Sequence, residues 1–118
     1  MIRQGDIYLM DFGAPTGSEP GFVRPVVVVQ NNVFNRSNIR TVVVCPLTTN
    51  LRRGEAPGNV SLFPGEGGLR EQSVVNVSQV LAINKEDLEQ KIGALDEGRV
   101  REIVVGINLL LEPRDVRE

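Results

Sequence analysis

Two runs of β-branched residues constrain the fold of this chain more than any other feature. Val26–Gln30 follows a proline, and Thr41–Cys45 follows a polar stretch. Runs of this length and composition are typical of strands, and unbroken valines indicate that both faces of the sheet are buried. A small sheet buries both faces only when a helix or another subunit covers its outer side, so we expect a dimer. Both runs are far shorter than the roughly 18 apolar residues of a membrane span, which predicts no membrane contact.

Shorter segments with strand composition surround these two runs. They are bounded by turn-forming residues, as in the loop from Gly13 to Gly21 and the glycine-rich turn Pro64–Gly68. The additional predicted strands are Ile7–Phe12, Gly58–Phe63, Ser73–Val77 and, as a last short strand, Gln79–Ile83.

Two helices are predicted late in the chain. A short helix is expected at Asn84–Gln90, where Asn84 is a suitable cap. A terminal helix is expected to begin near Asp96 and to end about Glu112. Its apolar residues recur at helical spacing, at Val100, Ile103, Val104, Ile107 and Leu111. Five or six strands with two late helices predict a mainly β small barrel with helical additions, in one domain spanning residues 1–118.

The composition limits the chemistry that the chain can perform. Histidine is absent and cysteine occurs once, at Cys45. These counts remove the commonest general base and the commonest zinc ligands, so we expect neither a metal site nor a cofactor. Because Cys45 lies in a valine run, it is expected to be a buried core thiol. The first residues show no apolar stretch typical of a secretion signal, which predicts a cytoplasmic protein.

Charge is distributed unevenly along the chain. The formal net charge of −2 argues weakly against a nucleic-acid partner, since phosphate binding normally accompanies an excess of Lys and Arg. However, residues 1–54 contain six Arg and only three acidic residues, whereas acidic residues predominate afterwards. A positive field is therefore expected in the first half of the chain only.

The segment from Thr16 to Pro25 delivers an arginine at the start of a buried strand. A guanidinium held there offers a planar fork of donors that matches two phosphate oxygens, so Arg24 is a candidate phosphate-binding residue. The alternative is that Arg24 only pairs with Glu19 or another carboxylate at the rim of the barrel. From this segment alone, the second interpretation is favoured, because surface arginines are common.

A second polar cluster lies at the end of the other valine strand, at Pro46–Asn50. The Thr48 and Thr49 hydroxyls and the Asn50 amide are potential donors to a phosphate or to the edge of a base. Thr and Asn are also ordinary turn formers. Taken alone, this segment favours a turn.

These two clusters belong to a longer pattern of short segments with consistent order and spacing. Together the segments resemble the MazF/PemK family of toxin endoribonucleases, which belong to type II toxin–antitoxin systems. The matching segments are Gly5–Tyr8, Gly17–Glu19, Arg24–Asn31, Thr41–Val44, Pro46–Thr48, Pro57–Val60, Ser73–Val77 and Ile92–Asp96.

The resemblance implies a fold, an activity and partners. The fold is an SH3-like small barrel of the CcdB/MazF type with a short helix and a C-terminal helix, assembled as a homodimer. The activity is sequence-specific, metal-independent cleavage of single-stranded RNA in a groove at the dimer interface. The expected partners are the RNA substrate and a cognate antitoxin protein, part of which folds on binding over the groove.

The family pattern also implies roles for individual residues. Without metal ligands, a ribonuclease can let the 2′-hydroxyl of the RNA attack the adjacent phosphorus, which leaves a 2′,3′-cyclic phosphate and a 5′-hydroxyl. Arg24 and Thr48 are the residues expected to stabilise the negative charge that develops on phosphorus. Glu19 is either the general base or, as we favour, the group that orients Arg24. Ser18 supports this loop or contacts phosphate.

The chain departs from the family pattern after Ser73. Some members carry an arginine and a carboxylate where this chain has Asn76 and Ser78, which leaves Asn76, Ser78 and Gln79 as candidates for reading RNA bases. Ordinary outward-facing strand residues are an equally good interpretation of the three. Many members also have Arg-Thr-Ile-Asp at Leu81–Asn84, so one basic contact near the groove is missing.

Two other functions are compatible with this barrel. A toxin of the same fold inhibits DNA gyrase through its C-terminal helix, but the charged tail from Glu112 to Glu118 is more typical of a solvated segment. A catalytically silent module that binds RNA or an antitoxin is the second alternative. The presence of Arg24 and Thr48 disfavours it.

Overall fold

The computed structural model describes residues 1–14, 17 and 22–117. In these ranges the chain forms a seven-stranded sheet in the order β4-β5-β3-β2-β1-β7, with β6 paired to β3 beside this path. The prediction of a mainly β fold with a C-terminal helix is confirmed. The strands are β1 (Asp6–Asp11), β2 (Val23–Val28), β3 (Thr41–Thr48), β4 (Val60–Leu62), β5 (Ser73–Val75), β6 (Leu81–Asn84) and β7 (Lys91–Ala94), and the helices are α1 (Asn32–Asn35) and α2 (Glu97–Leu111).

The longest strand, β3, organises the sheet. One edge of β3 pairs with β2. Along the other edge, residues 41–44 pair with β6 and residues 47–48 pair with β5. Pro46 lies between the two pairings and accepts a hydrogen bond from the Asn76 backbone N–H at 3.0 Å. Because two different strands succeed each other along one edge, the sheet curls into a half-barrel.

The side chains of β2 and β3 are buried on both faces of the sheet, as their valines predict. Val27 and Cys45 pack on one side against β4, β5 and the buried Ile103 of α2. Val26 and Val44 pack on the other side, where residues such as Ile83 of β6 cover them. The chain therefore covers both faces itself. Of the two covers that we considered, a helix or another subunit, the chain supplies its own, so the buried valines by themselves do not require a dimer.

The Cys45 thiol is fully buried in the centre of the sheet. Burial raises its pKa to about 12, because the thiolate would lose its solvation. The prediction that Cys45 is a core residue is confirmed.

We expect Cys45 in the native protein to resist maleimide at pH 8 for as long as the fold persists. The thiol is protonated and enclosed, whereas the thiolate is the reacting species. Reaction should become fast in denaturant. Mass spectrometry of the adduct measures both rates, and labelling of the native protein at the rate of a free thiol would contradict the buried placement.

The C-terminal helix α2 begins and packs as its sequence predicts. The Asp96 side chain caps it by accepting a hydrogen bond from the Arg99 N–H at 2.9 Å. Ile103 is buried, and Val100 and Ile107 pack against the same core. Leu111, which we expected on the apolar face, is 69% exposed, because it lies in the last turn, beyond the part of α2 that contacts the core.

The predicted short helix at Asn84–Gln90 is wrong. Only one 3-10 turn forms, at Lys85–Asp87, and Asn84 makes no side-chain cap. The chain is extended beyond the turn, since Glu89 N–H donates to Leu9 O at 3.0 Å and Leu9 N–H donates to Gln90 O at 2.8 Å. Backbone pairing with β1 thus replaces local helix formation and leads into β7, which we did not predict.

The polar stretch between β2 and β3 contains a helix that we also missed, α1. Asn31 caps α1, and its side chain accepts hydrogen bonds from the backbone N–H groups of Val33 and Phe34.

In the part of the chain that the structure describes, no helix combines the length and apolar character needed to cross a membrane.

Candidate active site

Strands β2 and β3 separate at one end and open a cleft between them. Their last paired residues are Val26 and Pro46. Beyond this pair, β2 continues beside β1, with Arg24 opposite Met10. Strand β3 continues beside β5 instead, with Thr48 opposite Val74. Each strand end therefore has its own partner, and the two ends diverge.

Two prolines lie where the strands separate. Pro25 of β2 and Pro46 of β3 lack a backbone N–H and cannot donate to a neighbouring strand. The β2–β3 pairing is thus weakest at the point where β3 begins to pair with β5 and β2 remains paired with β1. The opening is therefore favoured by two short segments of the sequence, Arg24-Pro25 and Cys45-Pro46-Leu47-Thr48.

The cleft has a volume of about 620 Å³ and mixed lining. Its lining includes buried apolar residues such as Leu47 and Leu69, and charged residues such as Arg24, Arg70 and Glu71. The lining residues are Leu9, Phe22, Val23, Arg24, Pro25, Leu47, Thr48, Thr49, Gly68, Leu69, Arg70, Glu71, Ser73, Gln90 and Ile92.

Arg24 and Thr48 are brought together across this cleft. If the β2–β3 register continued two residues beyond Val26 and Pro46, Arg24 and Thr48 would be opposite each other. Both residues are half-buried. The Thr48 Oγ1 accepts a hydrogen bond from the Asn50 N–H at 3.1 Å, which orients the hydroxyl and leaves its hydrogen to donate. A guanidinium and a hydroxyl donor that line the same cleft are suited to bind a phosphate.

The glycine-rich turn Pro64–Gly68 and the residues that follow it form another wall of the cleft. Gly67 and Gly68 pack directly on Gly93 of β7, where a Cβ on Gly93 would lie 2.3 Å from the Gly67 carbonyl oxygen. The turn carries Leu69, which is buried, and Arg70, which lines the cleft. The packing of backbone on backbone therefore determines where Arg70 lies.

An ion pair attaches this turn to α2. The Arg99 guanidinium donates to both carboxylate oxygens of Glu66, at 2.9 and 3.0 Å. These hydrogen bonds from Arg99 lower the pKa of Glu66, and the pKa of Arg99 is raised by the same pair. Glu66 also accepts a hydrogen bond from the Phe63 N–H at 2.7 Å. The ion pair and the glycine contacts together position the wall.

The two candidate residues that follow β3 lie in different environments. Thr49 is exposed and lines the cleft beside Thr48. Asn50 caps the 3-10 turn Leu51–Glu55, where its side chain accepts a hydrogen bond from the Arg52 N–H, and it is outside the cleft lining. The turn interpretation of this segment thus applies to Asn50.

Asn76, Ser78 and Gln79 lie together but outside the cleft lining. Asn76 is buried, and its side chain donates to Gln79 Oε1 at 2.9 Å and accepts from Ser78 Oγ and Asn59 Nδ2, each at 3.3 Å. The Asn76 side chain thus stabilises the 3-10 turn Val77–Gln79. Ser78 is exposed and Gln79 half-buried, and a role for the three in reading bases stays a prediction.

Two candidate residues, Ser18 and Glu19, lie outside the described residues.

The cleft also contains residues that we did not single out, among them Phe22, Arg70 and Glu71. The place of Arg70 and Glu71 depends on the glycine-rich turn packing across the sheet, and the only signal for them in the sequence is that they follow that turn. Phe22 lies in the cleft because it precedes Arg24 by two residues. Within residues 1–14, 17 and 22–117, no group of three or more Cys, Asp or Glu side chains is arranged to hold a metal ion.

Comparison with known proteins finds relatives that match nearly the whole chain. The family model described as "PemK-like, MazF-like toxin of type II toxin-antitoxin system" matches residues 3–111. Endoribonuclease MazF6 of Mycobacterium tuberculosis is 35% identical over 112 residues, which are 95% of this chain and 98% of that protein. Endoribonuclease MazF of Staphylococcus saprophyticus is 31% identical over 117 residues, or 99% of this chain and 97% of that protein.

Solved structures share the fold. An endoribonuclease from a mycobacterial species, solved with its cognate antitoxin, matches with a TM-score of 0.77 at 24% identity and covers 97% of this chain and 99% of that one. MazF from Deinococcus radiodurans matches with a TM-score of 0.77 at 18% identity and covers 95% and 97%. Because the family model spans most of the chain, this protein belongs to the PemK-like, MazF-like toxins of type II toxin–antitoxin systems.

Proposed function

We propose that the chain is the toxin of such a system and acts as a metal-independent endoribonuclease on single-stranded RNA. The observation that carries this proposal is the placement of Arg24 and Thr48 on opposite sides of the cleft between β2 and β3. The names of the relatives as endoribonucleases support it.

The proposed reaction uses the RNA itself as nucleophile. The 2′-oxygen attacks the adjacent phosphorus, its proton passes to a base, and the 5′-oxygen leaves with a proton. The products are a 2′,3′-cyclic phosphate and a 5′-hydroxyl. The Arg24 guanidinium and the Thr48 hydroxyl donate to the non-bridging phosphate oxygens, whose negative charge increases in the transition state.

Glu19 and Ser18 complete the proposed catalytic set. Arginine is a poor proton acceptor because its pKa exceeds about 12, so the base must be another group. Glu19 acts as that base or orients Arg24, and Ser18 contacts phosphate or supports the loop.

The proposed RNA path extends from the cleft along neighbouring polar residues. Thr49 lies inside the cleft beside Thr48. Asn50 and the group Asn76, Ser78 and Gln79 flank the end of β3, where they are proposed to contact bases. Recognition of bases in single strands depends on such edge contacts.

We further propose a cytoplasmic homodimer whose activity is controlled by a cognate antitoxin. One of the similar endoribonucleases was solved in complex with its antitoxin. An antitoxin segment lying over the cleft would exclude RNA from Arg24 and Thr48.

The proposal is tested by incubating the purified protein with RNA of mixed sequence in excess EDTA and mapping the fragment ends. Single-stranded DNA of the same sequence is the matched control, because it lacks the 2′-hydroxyl. Cleavage of RNA only, with cyclic phosphate and 5′-hydroxyl ends at a recurring short sequence, is the expected result. If no RNA is cut, the enzyme assignment fails, and gyrase inhibition or silent binding becomes the better explanation.

Replacing Thr48 with valine should lower the cleavage rate by about 10- to 100-fold, since a hydrogen bond to a charged group contributes on the order of 1.5–3 kcal/mol. Valine keeps the shape of the side chain but removes the hydroxyl. Thr48→Ser retains the hydroxyl and should keep most of the rate. Single-turnover cleavage of one RNA measures all three proteins, and equal rates for the valine and serine variants would remove the Thr48 hydroxyl from the mechanism.

A further inference from the structure

Phe22 lies at the rim of the cleft, two residues before Arg24, and is unusually placed for an aromatic residue. Its side chain is 65% exposed and lines the cleft. Its backbone has a φ of 60°, a left-handed conformation that favours glycine and is uncommon for bulky residues.

Backbone hydrogen bonds hold Phe22 in this conformation. The Phe12 N–H donates to the Phe22 carbonyl at 2.9 Å, and the Phe22 N–H donates to the Gly13 carbonyl at 2.5 Å. These bonds use only backbone atoms, so a glycine could form them without strain and without exposing apolar surface. The phenyl ring therefore brings two energetic costs that the fold does not require, which points to a role in binding.

The surroundings of the ring indicate what it binds. Phe22 shares the cleft with the guanidinium groups of Arg24 and Arg70. An exposed aromatic ring beside cationic groups is the combination by which proteins bind unpaired nucleotides, where the ring stacks on a base and the cations contact the phosphates. A comparison of Phe22 with another exposed phenylalanine, Phe63, supports this interpretation. Phe63 is also 65% exposed, but Arg99 lies 5.6 Å from its ring centre, so Phe63 has a partner inside the protein.

We propose that Phe22 is a substrate-binding residue that stacks on an unpaired base of the RNA next to the phosphate held by Arg24. This inference rests on the proposed ribonuclease function. Stacking holds the nucleotide in the cleft, and it tolerates any base because each base has a π-face.

The decisive variant is Phe22→Gly, because it removes the ring and relieves the backbone conformation at once. We expect the Kd for a short single-stranded RNA with a 2′-deoxy nucleotide at the cleavage site to rise about 5- to 100-fold. KM for the cleavable RNA should rise in parallel, with kcat at saturation nearly unchanged. The Tm of the variant should be no lower than that of the wild type. A residue with only a structural role would give the opposite result, a lower Tm with unchanged affinity.

Phe63→Ala is the matched control, since it removes an equally exposed ring outside the cleft lining, and its RNA affinity should equal that of the wild type. Phe22→Trp provides a second measurement: its fluorescence should be quenched on RNA binding, with affinity at or above the wild-type value. Unchanged Kd and KM in Phe22→Gly, or no fluorescence response in a Phe22→Trp protein that binds RNA, would overturn the proposal. If the wild type binds RNA but does not cut it, the ribonuclease function fails while the stacking measurement still decides the role of Phe22.

Discussion

Replacing Arg24 with alanine is expected to lower the rate of RNA cleavage by about 10²- to 10³-fold, the effect typical of losing a donor that stabilises a developing oxyanion. Arg24 is half-buried at the start of β2, and its backbone is fixed by pairing with β1. Arg24 therefore lines the cleft from a strand whose backbone is fixed. Single-turnover cleavage in EDTA measures the effect, and the Tm should change little.

Two control variants show whether the effect depends on the guanidinium group or only on its positive charge, and whether it is specific to Arg24. Arg24→Lys keeps one positive charge but loses the planar fork of donors, so its rate should fall between those of the wild type and Arg24→Ala. Arg52→Ala removes an exposed arginine outside the cleft lining and should cut RNA at a rate within about two-fold of the wild type. If Arg24→Ala keeps the wild-type rate, the cleft between β2 and β3 is not the catalytic site.

Replacing Gly106 with alanine is expected to destabilise the protein by about 2–3 kcal/mol, as overpacking of a tight contact does. A Cβ at Gly106 would lie 2.1 Å from the carbonyl oxygen of Gly58. That atom belongs to the backbone and cannot move aside as a flexible side chain would. Helix α2 must therefore shift away from the residues before β4, which lowers the Tm by roughly 10 °C for a chain of this size.

Gly98→Ala, in the first turn of the same helix, is the matched control. The nearest atom to a Cβ at Gly98 is Asp96 Oδ1 at 3.4 Å, so alanine fits with little adjustment. Helix propensity should then dominate and raise stability by about 0.5–1 kcal/mol. Thermal unfolding followed by circular dichroism measures both variants. Glycine-to-alanine substitutions at these two positions of one helix should thus change the stability in opposite directions. Equal Tm values for the two variants would show that α2 does not rest on Gly58.

Sequence reasoning is most successful where structure depends on local pattern. The β-branched runs predict β2 and β3, and the spacing of Val100, Ile103 and Ile107 predicts α2. The placement of Arg24 and Thr48 at strand ends also follows from the sequence, because Arg24 precedes the buried run that begins at Val26 and Thr48 directly follows the buried Leu47. These predictions need no knowledge of distant partners.

Prediction is least successful where distant backbones meet. The segment Asn84–Gln90 has good local helix chemistry, yet pairing with Leu9 of β1 keeps its end extended. The wall of the cleft depends on the contact between Gly67 and Gly93, which are far apart in the sequence. No local pattern identifies such a contact, and Arg70 was therefore missed. Phe22 was missed because its left-handed backbone depends on hydrogen bonds to Phe12 and Gly13, earlier in the chain.

The central position of β3 has a consequence for how this protein loses activity. Its backbone is paired along both edges as far as Pro46, and beyond that point β5 alone pairs with Thr48, its last residue. Amides in the doubly paired part of such a strand exchange with solvent only through global opening, unlike those of loops and strand ends. On heating, this part of β3 should stay in place until the whole molecule unfolds, so any earlier loss of cleavage must come from the strand ends that border the cleft. Control of the activity therefore acts at the cleft itself, and the sheet beneath it is either intact or lost with the entire fold.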